Sequence, residues 1–186
     1  MNTKLFEGEL VRLSAPSSDK DAEIFASWSR DSEFLRMLDD EPAQPWSVKK
    51  IKEEIDEEPK PDGFPFLIRT LADDRLIGFV GLFGIRWTHG DAWVGIGIGD
   101  RQYWGKGYGT DAMRVILRYA FTELNLHRVS LFLFEYNARA IRSYEKAGFV
   151  VEGRLRQATQ REGQRRDDLC MGILREEWEK SVKRKT

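Results

Sequence analysis

The chain has 186 residues, 41% of them apolar and 33% charged, and its 30 Lys and Arg against 31 Asp and Glu leave a formal net charge of −1 and a pI near 6.2. That balance excludes a nucleic-acid surface as the main partner, while a single cysteine (Cys170) and two histidines (His89, His127) exclude an internal disulfide, a cysteine cage and an ordinary metal site. No apolar run reaches membrane-spanning length and the opening MNTKLFEGEL lacks a signal core, so residues 1–186 are expected to form a single cytoplasmic domain with no membrane partner.

In chain order, Leu10 to Pro16 alternates like a first strand, closed by Pro16. Asp19 is placed to cap a helix through Ala22, Ile24, Phe25 and Trp28, which continues after a break toward Leu38. Asp39 to Ser47 is a proline-punctuated loop. Ser47 then caps a second helix carrying Val48, Ile51 and Ile55, which Pro59 and Pro61 end. Phe64 to Leu71 and Leu76 to Trp87 read as antiparallel strands about the turn Ala72 to Arg75. Next, Val94, Ile96 and Ile98 alternate strictly with Gly95, Gly97 and Gly99. A strand with glycines on one face gives up packing there, so a close approach to its backbone is expected. Beyond a glycine-rich loop, Met113, Ile116, Leu117, Ala120, Phe121 and Leu124 recur at the spacing of an amphipathic helix. His127 to Glu135 is an apolar strand, and Asn137 and Gly148 suit the N-cap and C′ positions of a short helix. Val150 to Gln160 and Arg165 to Ile173 flank Glu162-Gly163 as a hairpin. The order β-α-α-β-β-β-α-β-α-β-β describes an α+β domain without repeats or linkers.

The loop Gln102-Tyr103-Trp104-Gly105-Lys106-Gly107-Tyr108-Gly109-Thr110 runs from a strand into a helix start. Unpaired N–H groups at the positive end of a helix dipole make such a place an anion site. A Walker A loop fails twice, because Gly107 follows Lys106 and Asp100 stands five residues before Gly105. A Rossmann fingerprint fails because Gly105, Gly107 and Gly109 are spaced by twos and Thr110 occupies the third glycine's place. Gln102, Gly105 and Gly107 do satisfy Q-x-x-G-x-G, a pattern that resembles the diphosphate loop of the GNAT superfamily of acetyl-CoA-dependent N-acyltransferases. By itself it is equally an ordinary tight turn. A second motif comes downstream: Asn137 and Tyr144, two helical turns apart and followed by Gly148-Phe149, are similar to the family's N-x(6)-Y…G-F signature. The resemblance covers roughly Leu10 to Trp178. Glu152 to Arg156 and Leu174 to Trp178 resemble the subgroup around the ribosomal-protein alanine and serine N-acetyltransferases and the spermidine acetyltransferases.

The resemblance implies a three-layer fold whose central mixed, mostly antiparallel sheet is splayed to admit acetyl-CoA. It assigns the diphosphate to the loop from Gln102 through Thr110, Trp104 and Tyr108 included, with Lys106 adding charge. Gly97, Ile98 and Gly99 would pair with the pantetheine arm, and an amide near Ile98 would polarise the thioester carbonyl. Asn137 would hold the arm. Tyr144 would be the general acid: a phenol titrates at about 10 and a thiol at about 8.5, so the proton transfer is nearly balanced. The bland alternatives are a half-buried helix aromatic for Tyr144, a simple cap for Asn137 and a solvated lysine for Lys106. Where many members carry a strand glutamate, this chain has Trp93. Glu135 is the nearest carboxylate within the motifs; deprotonation through ordered water, or entry of a neutral amine, is the other route.

The acceptor region is expected at Leu38 to Trp46 and the final hairpin, where Asp39, Asp40 and Glu41 are either an amine-attracting group or a solvated loop. Glu53, Glu54, Asp56, Glu57 and Glu58 read first as a solvated helix face. Arg154, Arg156, Arg161, Arg165 and Arg166 read as surface charge, one of which would reach a CoA 3′-phosphate or a partner in a homodimer. Cys170 reads as strand core. The activity implied is acetyl transfer to a primary amine, on a small amine, a polyamine or a protein N-terminus. The missing strand glutamate motivates a rival, a non-catalytic acyl-CoA sensor.

Overall fold

The computed structural model describes residues 4–57 and 60–183. Its elements are β1 (Val11–Ser14), α1 (Ser18–Trp28), α2 (Ser32–Leu38), α3 (Val48–Asp56), β2 (Phe64–Thr70), β3 (Leu76–Arg86) and β4 (Asp91–Ile98), followed by α4 (Tyr108–Thr122), β5 (Arg128–Phe134), α5 (Ala138–Ala147), β6 (Val150–Arg161), β7 (Gln164–Leu174) and α6 (Arg175–Lys183). Glu58 and Pro59, expected at the end of α3, and the first three residues of the chain lie outside the described residues.

The break expected after Trp28 divides two separate helices, α1 and α2. Ser29 returns its hydroxyl to the Ala26 carbonyl at 2.7 Å and also accepts the Trp46 N–H at 2.8 Å. Asp31 then caps α2 by accepting from the Glu33 and Phe34 amides. Side chains that compete for the backbone in this way end one helix and begin the next. α6 was not expected. It carries two apolar residues, Trp178 and Val182, the former with its ring 5.4 Å from that of Phe121, so its apolar periodicity is too thin to read.

The seven strands form one open sheet in the order β1-β2-β3-β4-β5-β7-β6. Every neighbouring pair is antiparallel except β4 and β5, so the mixed, mostly antiparallel α+β architecture expected from the sequence is the one observed. α4 buries Ala112, Met113, Ile116, Leu117, Ala120 and Phe121 completely against the sheet, with Val80, Leu82, Val94, Val129 and Leu131 beneath it. Each of the larger side chains, Met113, Ile116, Leu117 and Phe121, contributes about 1.5–3 kcal/mol by leaving water. Ile98 points to this side, since its Cγ1 lies 3.6 Å from where a Cβ on Gly109 would stand. Gly97 and Gly99, of opposite parity, face the layer of α1 and α2. There a Cβ on Gly97 would come 2.8 Å from the Phe79 ring and 3.1 Å from Leu38, and one on Gly99 would fall inside the Trp28 indole. The close approach foreseen for the glycine face is therefore made by the protein's own aromatic side chains.

The position of the parallel pair matters most. β4 and β5 share a ladder only at Asp91↔Arg128, Ala92↔Val129 and Trp93↔Ser130. Beyond Trp93, β4 stays on β3 as far as Gly78↔Ile98, while β5 pairs with β7 up to Phe134↔Asp168. A wedge opens between them. Among the described residues, no helix is long and apolar enough to cross a membrane.

Candidate active site

A cleft of about 410 Å³ occupies the wedge and the mouth of α4. Its lining brings together Gly97, Ile98, Trp104, Gly105, Gly107, Gly109, Thr110, Asn137 and Tyr144 from the residues singled out in the sequence. Gly107 is the N-cap of α4 at φ +95°, a left-handed conformation that suits glycine, and no side chain caps the helix. Asp111 donates its N–H to the Gly107 carbonyl. The amides of Tyr108, Gly109 and Thr110, in the turn before, therefore face outward at the positive end of the helix. Thr110 is tied to α5 by a 2.8 Å hydrogen bond with the Ser143 hydroxyl.

The parity of the β3–β4 ladder fixes what the wedge offers. Gly99 donates its N–H to the Ile77 carbonyl at 2.9 Å, which makes Gly78↔Ile98 a non-hydrogen-bonded pair. The polar groups of Ile96 and Ile98 consequently turn away from β3, toward the side β5 has left. The Ile98 carbonyl accepts the Trp104 indole N–H at 2.6 Å. The Ile98 amide is aimed at the wedge.

Tyr144 lies on α5 with its ring 6.0 Å from that of Phe149. Burial pushes its phenol up to about 12, and among the described residues its hydroxyl has no hydrogen-bond partner. Asn137 caps α5, its Oδ1 accepting the Ala140 amide at 3.1 Å, and it is buried. Gly148 ends α5 in the left-handed region at φ +108°, with its N–H and that of Phe149 donated to the Tyr144 carbonyl. The same turn that closes the helix thus anchors the Tyr144 backbone.

Other expected residues lie elsewhere. Gly99 is turned from the cleft, beneath Trp28. Gln102 is exposed, and its amide is spent on Asp100 Oδ1 at 2.9 Å. Lys106 is exposed and does not line the cleft. Tyr108 sets its ring at 89° against Tyr103, 4.9 Å away. From the loop, Tyr103, Trp104, Gly105, Gly107, Gly109 and Thr110 line the cleft, and Gln102, Lys106 and Tyr108 do not. The cleft's cations are Arg114, Arg139, Arg142 and Lys146, which were missed. The last three recur along one face of α5 at i, i+3 and i+7, a spacing that could have found them. Burial lowers the pKa of Arg139.

Carboxylates are scarce in the cleft. Asp111 lines it but accepts the amides of Glu9, Leu10 and Val11 at 3.1, 2.7 and 3.0 Å. Glu135 is engaged by Arg154 at 2.7 Å and by the Asp167 amide. Trp93 stacks on Phe132, 4.7 Å between centroids and 15° apart. On the acceptor side, Arg161 holds the loop after α2 by the Asp39 and Glu41 carbonyls, at 2.7 and 3.2 Å, and leaves their carboxylates free of that contact. Desolvation, and after it the neighbouring charges of Asp40 and Glu41, raises Asp39. Glu53 and Glu54 sit 3.8 and 3.6 Å from Lys49 and Lys50 on the exposed face of α3. Among the described residues no group of three or more His, Cys, Asp and Glu is arranged to hold a metal.

The family model described as the acetyltransferase (GNAT) domain matches residues 11–150. A prophage-derived uncharacterized N-acetyltransferase of Bacillus subtilis, YokL, is 31% identical over 179 residues, covering 96% of this chain and 98% of its own. A spermidine N(1)-acetyltransferase of Vibrio cholerae is 36% identical over 107 residues, 58% of this chain and 61% of its own. The crystal structure of a spermidine N-acetyltransferase from Vibrio cholerae in complex with CoA and spermine matches with a TM-score of 0.79 at 27% identity, over 90% of this chain and 97% of that one. These likenesses give no support to a non-catalytic sensor. With a wedge between β4 and β5 and an uncapped helix at its mouth, the chain belongs to the GNAT acetyltransferase family and is an N-acetyltransferase.

Proposed function

We propose that the enzyme takes its acetyl group from acetyl-CoA and passes it directly to a primary amine of a small cationic acceptor of the polyamine class. The observation that carries this reading is the coincidence, in one cleft, of an edge amide on β4, the open first turn of α4 and the Tyr144 hydroxyl. The fit to a CoA thioester is chemical. The turn from Gly107 to Thr110 presents main-chain donors to a diphosphate, and Arg114, Arg139, Arg142 and Lys146 add positive charge beside it. The polar groups of Ile96 extend a strand edge along which an amide-bearing arm can pair. The side chain of Asn137, at the head of α5, borders the same path.

The reaction follows from these positions. The acceptor nitrogen, having released its proton to water, attacks the thioester carbon and forms the C–N bond. Charge gathers on the carbonyl oxygen, opposite the Ile98 N–H. As the C–S bond breaks, Tyr144 gives its proton to the leaving sulfur, and the amide nitrogen's extra proton returns the phenol to its neutral form. No base on β4 is invoked, because the position holds Trp93 and Glu135 is occupied. The acidic loop after α2 favours a cationic acceptor, and the relative crystallised with CoA and spermine supports that class. Calorimetry with CoA and acetyl-CoA, followed by thiol release against spermidine, spermine and an N-terminal peptide, tests the reading. Amine-dependent thiol release, largest with a polyamine, is the expected result; absence of CoA-thioester binding overturns it.

A further inference from the structure

The Ile98 carbonyl stands at the edge that β5 has vacated, and its hydrogen bond comes from a side chain, the Trp104 indole at 2.6 Å. That indole is itself held from two layers. The Arg139 guanidinium of α5 lies 3.7 Å from the ring centroid and that of Arg101 lies 4.9 Å from it. Arg101 is in turn anchored at 2.7 Å by Asp31, the N-cap of α2, and at 2.7 Å by Glu33. The other end of the same peptide unit, the Gly99 N–H, is bonded to Ile77 at 2.9 Å. The Ile98–Gly99 peptide is thus clamped at both its oxygen and its nitrogen.

Such a clamp is needed here for a steric reason. Ile98 lies between Gly97 and Gly99, residues whose backbone torsions are the least restricted. The neighbouring strand that would fix the plane is absent on this side. The β3 ladder holds the Gly99 N–H on one side, and on the wedge side the hold on the Ile98 carbonyl comes from the indole.

We infer that Trp104 is a positioning residue: its indole N–H holds the Ile98 carbonyl so that the adjacent Ile98 amide keeps its aim on the thioester oxygen. The inference rests on the acetyl-transfer reading above. Deleting an oxyanion donor outright costs about 10²–10³ in rate, so misaiming one while leaving it present should cost about tenfold. Two substitutions remove the N–H: Trp104→Phe, which also shrinks the ring, and replacement of Trp104 by β-(3-benzothienyl)alanine, which keeps the shape and puts sulfur in place of the N–H. Both are expected to lower kcat about tenfold with Kd for CoA changed less than about twofold, and to move the ¹³C resonance of the Ile98 carbonyl upfield. Unchanged kcat in the benzothienyl protein overturns the inference. So does an equal loss of kcat and CoA affinity, which would make Trp104 a binding residue only, and so does an unmoved carbonyl resonance. A wild-type chain that binds no CoA thioester overturns the functional reading itself, and that result is obtained before any substitution is made.

Discussion

Tyr144 illustrates how one environment acts on both partners of a proton transfer. Burial pushes its phenol up to about 12, which alone would make it a poorer acid. The departing thiolate forms in the same enclosed cleft, and desolvation raises its proton affinity too. Tyr144→Phe is expected to lower kcat at least about 10²-fold with CoA affinity unchanged. Because the acid form is lost only as pH rises through the raised pKa, the wild-type rate should show no Tyr144-linked fall below about pH 10. A pH profile of kcat for both proteins reads this, and a decline near neutral pH confined to the wild type would refute it. Asp168 behaves oppositely to a stabilising carboxylate. Its Oδ1 is buried without a partner among the described residues, while Oδ2 accepts the Thr159 hydroxyl at 2.9 Å. Burial first, then Asp40, Asp167 and Glu135, raises its pKa. The folded state therefore binds this proton more tightly than the unfolded state, and the penalty at neutral pH fades as pH falls through the raised value. Asp168→Asn should raise the urea midpoint at neutral pH, with the gain gone by about pH 4. Asn137, Tyr144 and Gly148 were legible in the sequence because cap, turn and stop are local. The loop was legible through its glycines, since Gly105 and Gly107, the two that the Q-x-x-G-x-G pattern requires, are the ones held in the left-handed region.

At the level of elements, the start of α4 serves two structures at once. Its first-turn amides face the cleft, while the Asp111 carboxylate reaches back to the amides of Glu9, Leu10 and Val11, about a hundred residues earlier. Asp111→Ala leaves three main-chain donors without their acceptor, that of Val11 buried, and should cost about 3 kcal/mol in urea unfolding, with β1 the segment loosened. Gly107→Ala should cost about 1–2 kcal/mol, because φ +95° crowds a Cβ, and should weaken CoA binding by shifting the helix mouth. No sequence pattern announces the Asp111 contact, which is made by topology alone. The glycine face of β4 was readable as a site of close approach, but what approaches was not: Trp28, Leu38 and Phe79 come from three different elements. α6 went unread because two apolar residues, Trp178 and Val182, are too few to make a period.

The whole sheet is in effect two plates. β1 to β4 form one and β5, β7 and β6 the other, joined along the strands by the three residue pairs from Asp91↔Arg128 to Trp93↔Ser130. α4 lies across the seam, touching β3, β4 and β5. Sequence patterning gave strands and their order, since each strand's alternation is its own property, but a seam of that length is a relation between strands and leaves no periodic trace. Amides of Ile96, Ile98, Phe132 and Phe134 are expected to exchange hydrogen faster in the free enzyme than with CoA present, as mass spectrometry after deuterium labelling would report. Proteases cut whichever opened form a chain visits, in proportion to its population. An acyl carrier lying along the seam supplies the missing rungs, so abundance of that carrier should set how long the protein survives digestion as well as how fast it turns over.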